Sequence, residues 1–312
     1  MVQLTALEVA EQPILARVRT YLVSAFGPIT SFTQFVSPHE HREYYPVALV
    51  TLASGSRIIA KWGTKPEKIE KEFIVSKLLL AHGIPTPVPI RLVKDIPLVL
   101  MEPLDGRELT VGDLTPATVQ EIGATLRRIH DIPATEVADA GVPAWPGVDF
   151  LDETEQKLFE RLTGALESPA MPHGRATIAQ AFSELKRRTH WQGYRGLNRR
   201  DMHPGNWFRT AVGSLAAIDH GNASIGDVAY DLAHMLSKLH DDQRLSAAFR
   251  AGYGADRFDQ ATTQPVRALM DLSHGLGIVG WVHRRAVPQP EFQAEGLCLI
   301  QRALSVAKGE TE

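Results

Sequence analysis

The sequence holds a single cysteine, Cys298, in 312 residues. An internal disulfide network and a cysteine-based metal site are therefore excluded. The neighbours Leu297, Leu299 and Ile300 predict a buried, inert thiol. Charge of one sign is also scarce: 33 Lys and Arg against 36 Asp and Glu give a formal net charge of −3. Such a balance recruits no polyanion, and nucleic-acid binding is not expected. No apolar run approaches the length of a bilayer crossing, and no membrane association is expected. The opening MVQLTALEVAEQPILARV carries Glu8 and Glu11 and has no long apolar centre, so a secretory signal is not expected either. The expected location is the cytoplasm. Internal repeats and low-complexity tracts are missing. What remains, 44% hydrophobic and 22% charged residues, is the composition of a globular chain long enough for two lobes.

Periodicity divides the chain. Residues 4–26 read as helix around Pro13, and SFTQFV begins strand-like text. PVALVTL (46–52) and RIIAKW (57–62) flank the turn residues Ala53-Ser54-Gly55-Ser56, which predicts a hairpin. IEKEFIVSKLLLAHG reads as helix ending at Gly83, a C-cap ahead of Pro85 and Pro87. IPLVLME is a further strand, closed by Pro103 and the turn residues Asp105-Gly106. Beyond it, Val119, Ile122, Leu126 and Ile129 form a helical stripe, and the rest reads as helix apart from a strand pair near 207–218. The expected fold class is α+β, with a small β-rich lobe (1–103) and a larger α-helical lobe (104–312), joined near Glu102–Gly106.

Chemistry concentrates in residues 198–236. WFRTA and LAAI, separated by Val212-Gly213-Ser214, predict a short hairpin whose open end brings Asn206 and Asp219 together in either of two registers. An amide oxygen beside a carboxylate is a hard-oxygen pair suited to Mg²⁺, which takes its other ligands from phosphates and water. Asp201 lies five residues before Asn206 in a loop of turn formers, where a carboxylate can accept a proton from an attacking hydroxyl. Gly226-Asp227 precedes the helical run VAYDLAHMLSKL, which makes Asp227 an N-cap candidate. Asp231 leans inward beside the stripe Val228, Leu232, Met235 and Leu239.

DMHPGN followed by IDHGNASIGDVAYDLA resembles the aminoglycoside phosphotransferase and choline kinase-like family, and with it the catalytic and metal loops of the protein kinase-like fold. That resemblance implies a two-lobed kinase-like fold with Asp201 as catalytic base or hydroxyl-positioning group and with Asn206 and Asp219 as metal ligands. It implies Asp231 as a support of the catalytic loop. The activity implied is transfer of the γ-phosphate of ATP or GTP, with Mg²⁺, to a hydroxyl.

The small lobe then has to supply a cation for the phosphates. Lys61 shares a strand face with Ile59, which matches the arrangement in which an apolar side chain meets the nucleobase and the lysine reaches the phosphates. Glu72, aligned with Val75, Ser76 and Leu79, needs a counter-charge, and Lys61 is the natural one; Glu70 or Glu67 takes that part if the helix phase differs. Met101–Glu102 resembles the family's hinge, whose backbone reads the base edge.

Three positions depart from the family pattern. Arg199 and Arg200 stand where the family has a histidine and glycine: the two guanidiniums can depress the Asp201 pKa, Arg200 can clamp a phosphate or an acidic substrate group, or one arginine can merely fill the histidine's packing role. VSPHEHREYYP, between Phe35 and Val47, contains no glycine. His220 replaces the commoner aromatic or apolar residue after the metal aspartate.

Among the twelve histidines, His39 and His41 have no evident third ligand, and His234 and His240 are six apart and do not face together. The run His283-Arg284-Arg285 reads as a solvated surface. The expected acceptor wall carries Trp145, Asp149, Asp152, Glu153, Trp191, His274, Trp281, Glu291 and Glu295, where acids suit a polyamine and tryptophans suit a sugar or macrocycle. The acceptor classes are a small molecule such as an aminoglycoside-like antibiotic or other natural product, or a Ser/Thr hydroxyl in a short precursor peptide. A non-catalytic nucleotide-binding module is the competing class.

Overall fold

The computed structural model describes residues 6–35, 45–144, 150–189, 194–239, 242–285 and 288–310. In chain order the first elements are α1 (Ala6–Phe26), β1 (Ile29–Phe35), β2 (Val47–Leu52), β3 (Arg57–Trp62), α2 (Pro66–Ala81), β4 (Pro89–Val93), β5 (Leu98–Met101) and β6 (Gly106–Glu108). Four helices follow, α3 (Pro116–His130), α4 (Ala134–Asp139), α5 (Phe150–Leu166) and α6 (Arg175–Arg188). Short strands come next: β7 (Arg195–Asn198), β8 (Trp207–Thr210), β9 (Leu215–Ala217) and β10 (Ser224–Asp227). The chain ends in α7 (Ala229–Lys238), α8 (Gln243–Tyr253), α9 (Ala255–Ala261), α10 (Gln264–His283) and α11 (Pro290–Lys308). It divides into two compact units, one of residues 1–109, 140–142 and 205–223, the other of 110–139, 143–204 and 224–312. No helix among the described residues is long and apolar enough to cross a membrane.

The first unit is built on an antiparallel sheet of order β1-β2-β3-β5-β4. The β2–β3 turn works because Gly55 adopts φ 84°, which lets Leu52 bond to both Gly55 and Ser56. Strand alternation then sorts the faces. Ala48, Val50, Ile58, Ala60, Trp62, Leu98 and Leu100 pack with Val18 and Leu22 of α1. Ile59, Val99 and Met101 pack on the other face with Ile69 of α2. Burying each large aliphatic side chain contributes about 1.5–3 kcal/mol. Helix α2 stops as its sequence predicts: Gly83, at φ 66°, donates to Leu80 O while Ile84 N–H donates to Leu79 O, a Schellman motif with Ile84 buried. The β8–β9 hairpin belongs to this unit, and β6 adds a third strand to it, giving the order β6-β8-β9.

The second unit is mainly helical. Helix α3 is capped by Thr115, which accepts the Thr118 N–H, and it buries the predicted stripe Val119, Ile122, Leu126 and Ile129. Leu158 and Leu162 of α5, Phe182 of α6, Ala233 of α7, Leu269 and Leu276 of α10 and Ala303 of α11 share one core. Helices α10 and α11 cross closely enough that a Cβ on Gly275 would stand 2.5 Å from Gly296 O. Strands β7 and β10 pair antiparallel, with Asn198 opposite Ser224. Strands β6, β7 and β10 fall where helix or turn was expected. They are three or four residues long and rich in Gly, Arg and Asp, so they carry no alternating apolar signal. Cys298 is exposed rather than buried: it sits on the outer side of α11 while Leu299 and Ile300 take the inward positions.

Candidate active site

Lys61 faces away from α1 because its neighbours Ala60 and Trp62 alternate with it along β3. Its Nζ donates to Glu72 Oε2 at 2.7 Å and to Asp219 Oδ1 at 2.9 Å. Glu72 occupies the buried side of α2 with Val75, Ser76 and Leu79, whereas Glu70 pairs with Lys94 at 2.8 Å and Glu67 is exposed. The same Glu72 oxygen also accepts the His220 N–H at 2.9 Å. His220 itself is fully buried, with Nε2 2.9 Å from Thr86 Oγ1. The residue after Asp219 is thus clamped at both its backbone and its ring, and that clamp fixes where Asp219 points.

The electrostatics follow from two carboxylates sharing one ammonium. Burial alone would depress the Lys61 pKa, but Asp219 and Glu72 outweigh it and hold the ammonium above its ordinary value, charged at any physiological pH. The Glu72 carboxyl is pushed up by burial and by Asp219, against the pull of Lys61. Asp219 also adopts φ 62°; with Arg200 at φ 64° it is one of two non-glycine residues in the left-handed region among those described. Such strain persists only where surrounding contacts enforce it, and it gathers at functional sites.

Asn206 meets Asp219 through the hairpin. The register Trp207 to Ala217, extended by the bond from Ile218 N–H to Asn206 O at 3.0 Å, sets Asn206 opposite Ile218 and one residue from Asp219. Asn206 is largely buried, and the Asp219 side chain is 46% exposed. An amide and a carboxylate are hard-oxygen donors, and among the described residues no group of three His, Cys, Asp or Glu forms a closed cage. That donor set fits Mg²⁺ completed by phosphates and water, and a divalent charge there offsets the surplus negative charge around Lys61. The apolar platform beside Lys61 is Ile59 with Val99 and Met101. At the expected hinge, the Glu102 N–H is already committed to Val88 O at 2.8 Å, so that donor is not available to a base edge.

Asp201 lies in the second unit, in the loop that leaves β7. Asp231 holds this loop through its backbone: Oδ2 accepts the Arg199 N–H at 2.7 Å and Oδ1 accepts the Arg200 N–H at 2.8 Å. Asp231 is fully buried and is backed by His130, whose Nε2 lies 3.2 Å away and whose Nδ1 lies 2.8 Å from the Tyr253 hydroxyl. Sequence reasoning missed His130, although its place at the end of the α3 stripe marks it as inward-facing. Arg199 is fully buried. Arg200 lies over the Tyr230 ring at 4.5 Å and donates to Ser224 Oγ at 3.2 Å. Asp227 stands one residue before the α7 cap, with Oδ1 accepting the Ala229 N–H at 2.8 Å.

Of the expected acceptor wall, Trp145, Asp149 and Trp191 lie outside the described residues, as do His39, His41, His240 and residues 36–44 of the glycine-free loop; Asp152 and Glu153 fall in α5, which the structure describes by its backbone there. Glu295 is spent on Lys238, 2.9 Å away. His234, set aside in sequence, instead packs on His274 with ring centroids 4.4 Å apart.

A family model described as "Phosphotransferase enzyme family" matches residues 46–269. No curated protein matches the sequence. The structure resembles the choline kinase LicA from Streptococcus pneumoniae with a TM-score of 0.67 at 16% identity, covering 95% of this chain and 99% of that one. It resembles aminoglycoside phosphotransferase APH(4)-Ia with a TM-score of 0.68 at 14% identity, covering 96% and 100%. For macrolide 2'-phosphotransferase MphH from Brachybacterium faecium the values are 0.62 and 14%, covering 95% and 98%. Related structures include LicA with AMP and aminoglycoside 2'-phosphotransferase-IIIa with GDP. The fold is therefore kinase-like.

Proposed function

The chain belongs to the phosphotransferase enzyme family, and we propose that it moves the γ-phosphate of ATP or GTP, with magnesium, to a hydroxyl of a small molecule. One observation carries this reading: Lys61 bridges Glu72 and Asp219 at 2.7 and 2.9 Å. A buried ammonium held between two acids, one of them half-exposed beside an amide, is suited to triphosphate. The AMP and GDP complexes of the neighbours support a nucleotide co-substrate.

In the transfer, the acceptor oxygen attacks the γ-phosphorus, a new O–P bond forms, and the bond to the β-phosphate oxygen breaks to release the nucleoside diphosphate. Asp201 orients the acceptor hydroxyl and takes its proton. Lys61 offsets phosphate charge, and Glu72 holds Lys61 in place. Asn206 and Asp219 would hold magnesium, which supplies further neutralisation of the phosphate oxygens. Ile59 and Met101 provide an apolar surface for the nucleobase, and the backbone from Met101 to Glu102 reads its edge through groups other than the committed Glu102 N–H. Asp231 keeps the Arg199–Arg200 backbone fixed so that Asp201 is presented in one orientation. A loose phosphoryl transition state needs little basicity, so positioning and charge carry most of the rate.

The test is an acceptor screen with labelled ATP and GTP over antibiotics, small alcohols and short peptides, with Asp219→Ala as control. Asp219-dependent transfer supports the reading; turnover unchanged in the variant overturns it. Magnesium-dependent nucleotide binding with no transfer to any acceptor identifies a binding module instead.

A further inference from the structure

The Arg200 side chain has no task in the chemistry above. It stands at φ 64°, in the left-handed region where a Cβ crowds the following carbonyl and glycine is the ordinary occupant. A side chain held there has to offset that backbone cost through its own contacts. The Arg200 guanidinium lies over the Tyr230 ring, 4.5 Å from the centroid, and Nη1 donates to Ser224 Oγ at 3.2 Å. Ser224 is the β10 partner of Asn198, two residues earlier on β7. The side chain thus closes the turn back onto the strand pair it leaves. Tyr230 precedes Asp231 at the start of α7, and Asp231 Oδ1 accepts the Arg200 N–H at 2.8 Å. The first turn of α7 therefore grips residue 200 twice, its backbone through Asp231 and its side chain through Tyr230.

Tyr230 is fixed in its turn. Arg161 of α5 donates to the Tyr230 hydroxyl at 3.2 Å and to the Ser273 hydroxyl and carbonyl of α10 at 3.0 and 3.1 Å, and no carboxylate pairs with Arg161 among the described residues. The phenol registers both guanidiniums. Burial would raise its pKa, yet Arg161 and Arg200 outweigh burial and bring it below the ordinary value. The face of an aromatic ring attracts a guanidinium, more so where water is excluded. An arginine that clamps a ligand directs its planar fork at that ligand. Here the flat face goes to Tyr230 and one arm goes to Ser224, both within the same unit. That geometry is a tie between β10, α7 and the residue next to Asp201.

We propose that Arg200 is a positioning residue: its side chain, stacked on Tyr230 and bonded to Ser224, holds the left-handed turn that presents Asp201 to the acceptor hydroxyl. The proposal rests on the phosphotransferase reading above and adds to it a side chain that acts on the reaction through Asp201.

The test compares Arg200→Gly, Arg200→Lys and Tyr230→Leu in the full chain. Turnover of labelled ATP is measured with the acceptor found in the screen, and amide hydrogen exchange is measured at residues 199 and 200. Glycine accepts the φ and removes the tie, so Arg200→Gly should keep the parent denaturation midpoint. Its kcat should fall about tenfold to a hundredfold, the scale of a small misplacement of a reacting group, with KM for ATP unchanged. Exchange at the two amides should speed up about tenfold as the turn loosens. Lysine keeps the charge without the planar fork, so Arg200→Lys should lose kcat as well. The double variant Arg200→Gly, Tyr230→Leu should be no slower than the slower single, because both cut one tie. If Tyr230→Leu fails to fold, Ser224→Ala takes its place in the cycle. Parent kcat in Arg200→Gly or Arg200→Lys, or parent exchange rates in Arg200→Gly, overturns the proposal. A raised KM at parent kcat also overturns it, by making Arg200 a ligand contact. Asp219 separates this proposal from its parent. Asp219-dependent turnover with kcat intact in Arg200→Gly removes the positioning role and leaves the phosphotransferase standing. Turnover indifferent to Asp219, or nucleotide binding with no transfer, removes the phosphotransferase reading and the positioning role with it, even where exchange speeds up.

Discussion

Lys61 and Asp219 lie 158 residues apart in sequence, and 2.9 Å separates the ammonium nitrogen of one from a carboxylate oxygen of the other. Glu72 completes the contact from below by holding both the Lys61 ammonium and the His220 N–H on one oxygen. The pair therefore joins β3 to the loop that carries the candidate metal ligand, and each partner sets the other's position.

Substituting Asp219→Ala removes one candidate metal donor and one partner of Lys61. Turnover should fall by about a hundredfold to a thousandfold, the scale of losing one preorganised electrostatic stabiliser. Product release measured across a magnesium titration checks this, and activity that rises to the parent level at high magnesium would contradict it.

Glu72→Ala leaves a buried ammonium with half its compensation and frees the His220 N–H. Breaking a buried pair on one side costs about 3–5 kcal/mol, here reduced because Asp219 remains. Urea denaturation should show a loss of about 2 kcal/mol or more, with KM for the nucleotide rising at the same time.

Asp231→Ala deprives two backbone N–H groups of their acceptor and His130 of its neighbour. A loss of about 2–6 kcal/mol is expected, from two unmet donors at about 1–3 kcal/mol each. The double variant with His130→Ala should be less destabilised than the sum of the singles, since both act in one network. Strict additivity in denaturation experiments would show the contacts to be independent.

Gly275→Val tests the α10–α11 crossing. With a Cβ only 2.5 Å from the Gly296 carbonyl, the helices must separate. Overpacking of this kind costs about 1–3 kcal/mol, visible as a lowered thermal midpoint.

His234 and His274 predict a pH dependence of stability. Both pKa values are depressed in the folded chain by burial, with Lys238 and Arg161 adding to it for both and His274 and His203 for His234. The unfolded chain therefore binds more protons as pH falls below the ordinary histidine value of about 6.5. Stability contributed by the neutral pair is present above that value and is lost as pH drops toward the folded pKa values. Denaturation midpoints from pH 7.5 to 5 should fall, and the fall should be shallower in the double variant His234→Asn, His274→Asn.

Local features were legible in the sequence because they depend on neighbours along the chain. The Gly83 cap, the β2–β3 turn, the α3 stripe and the hairpin between Asn206 and Asp219 all follow from backbone preferences and from a period of two or about four residues. The direction of Lys61 followed in the same way, since alternation along β3 leaves it opposite the α1 core. Motif spacing marked Asp201, Asn206 and Asp219 as the candidate site.

Long-range closure settled the rest. The stripe Val75, Ser76 and Leu79 pointed to Glu72 as the partner of Lys61, with Glu70 and Glu67 as alternatives, and the packing of α2 bears out Glu72 and leaves Glu70 to Lys94. Pairing of β7 with β10 had no periodic signal to announce it. The His234–His274 contact and the uncompensated Arg161 arise where α5, α7 and α10 meet, so no window along the chain contains them. Charge compensation and helix packing act through space over distances that sequence order does not encode, and that is why the contacts where α5, α7 and α10 meet required the fold.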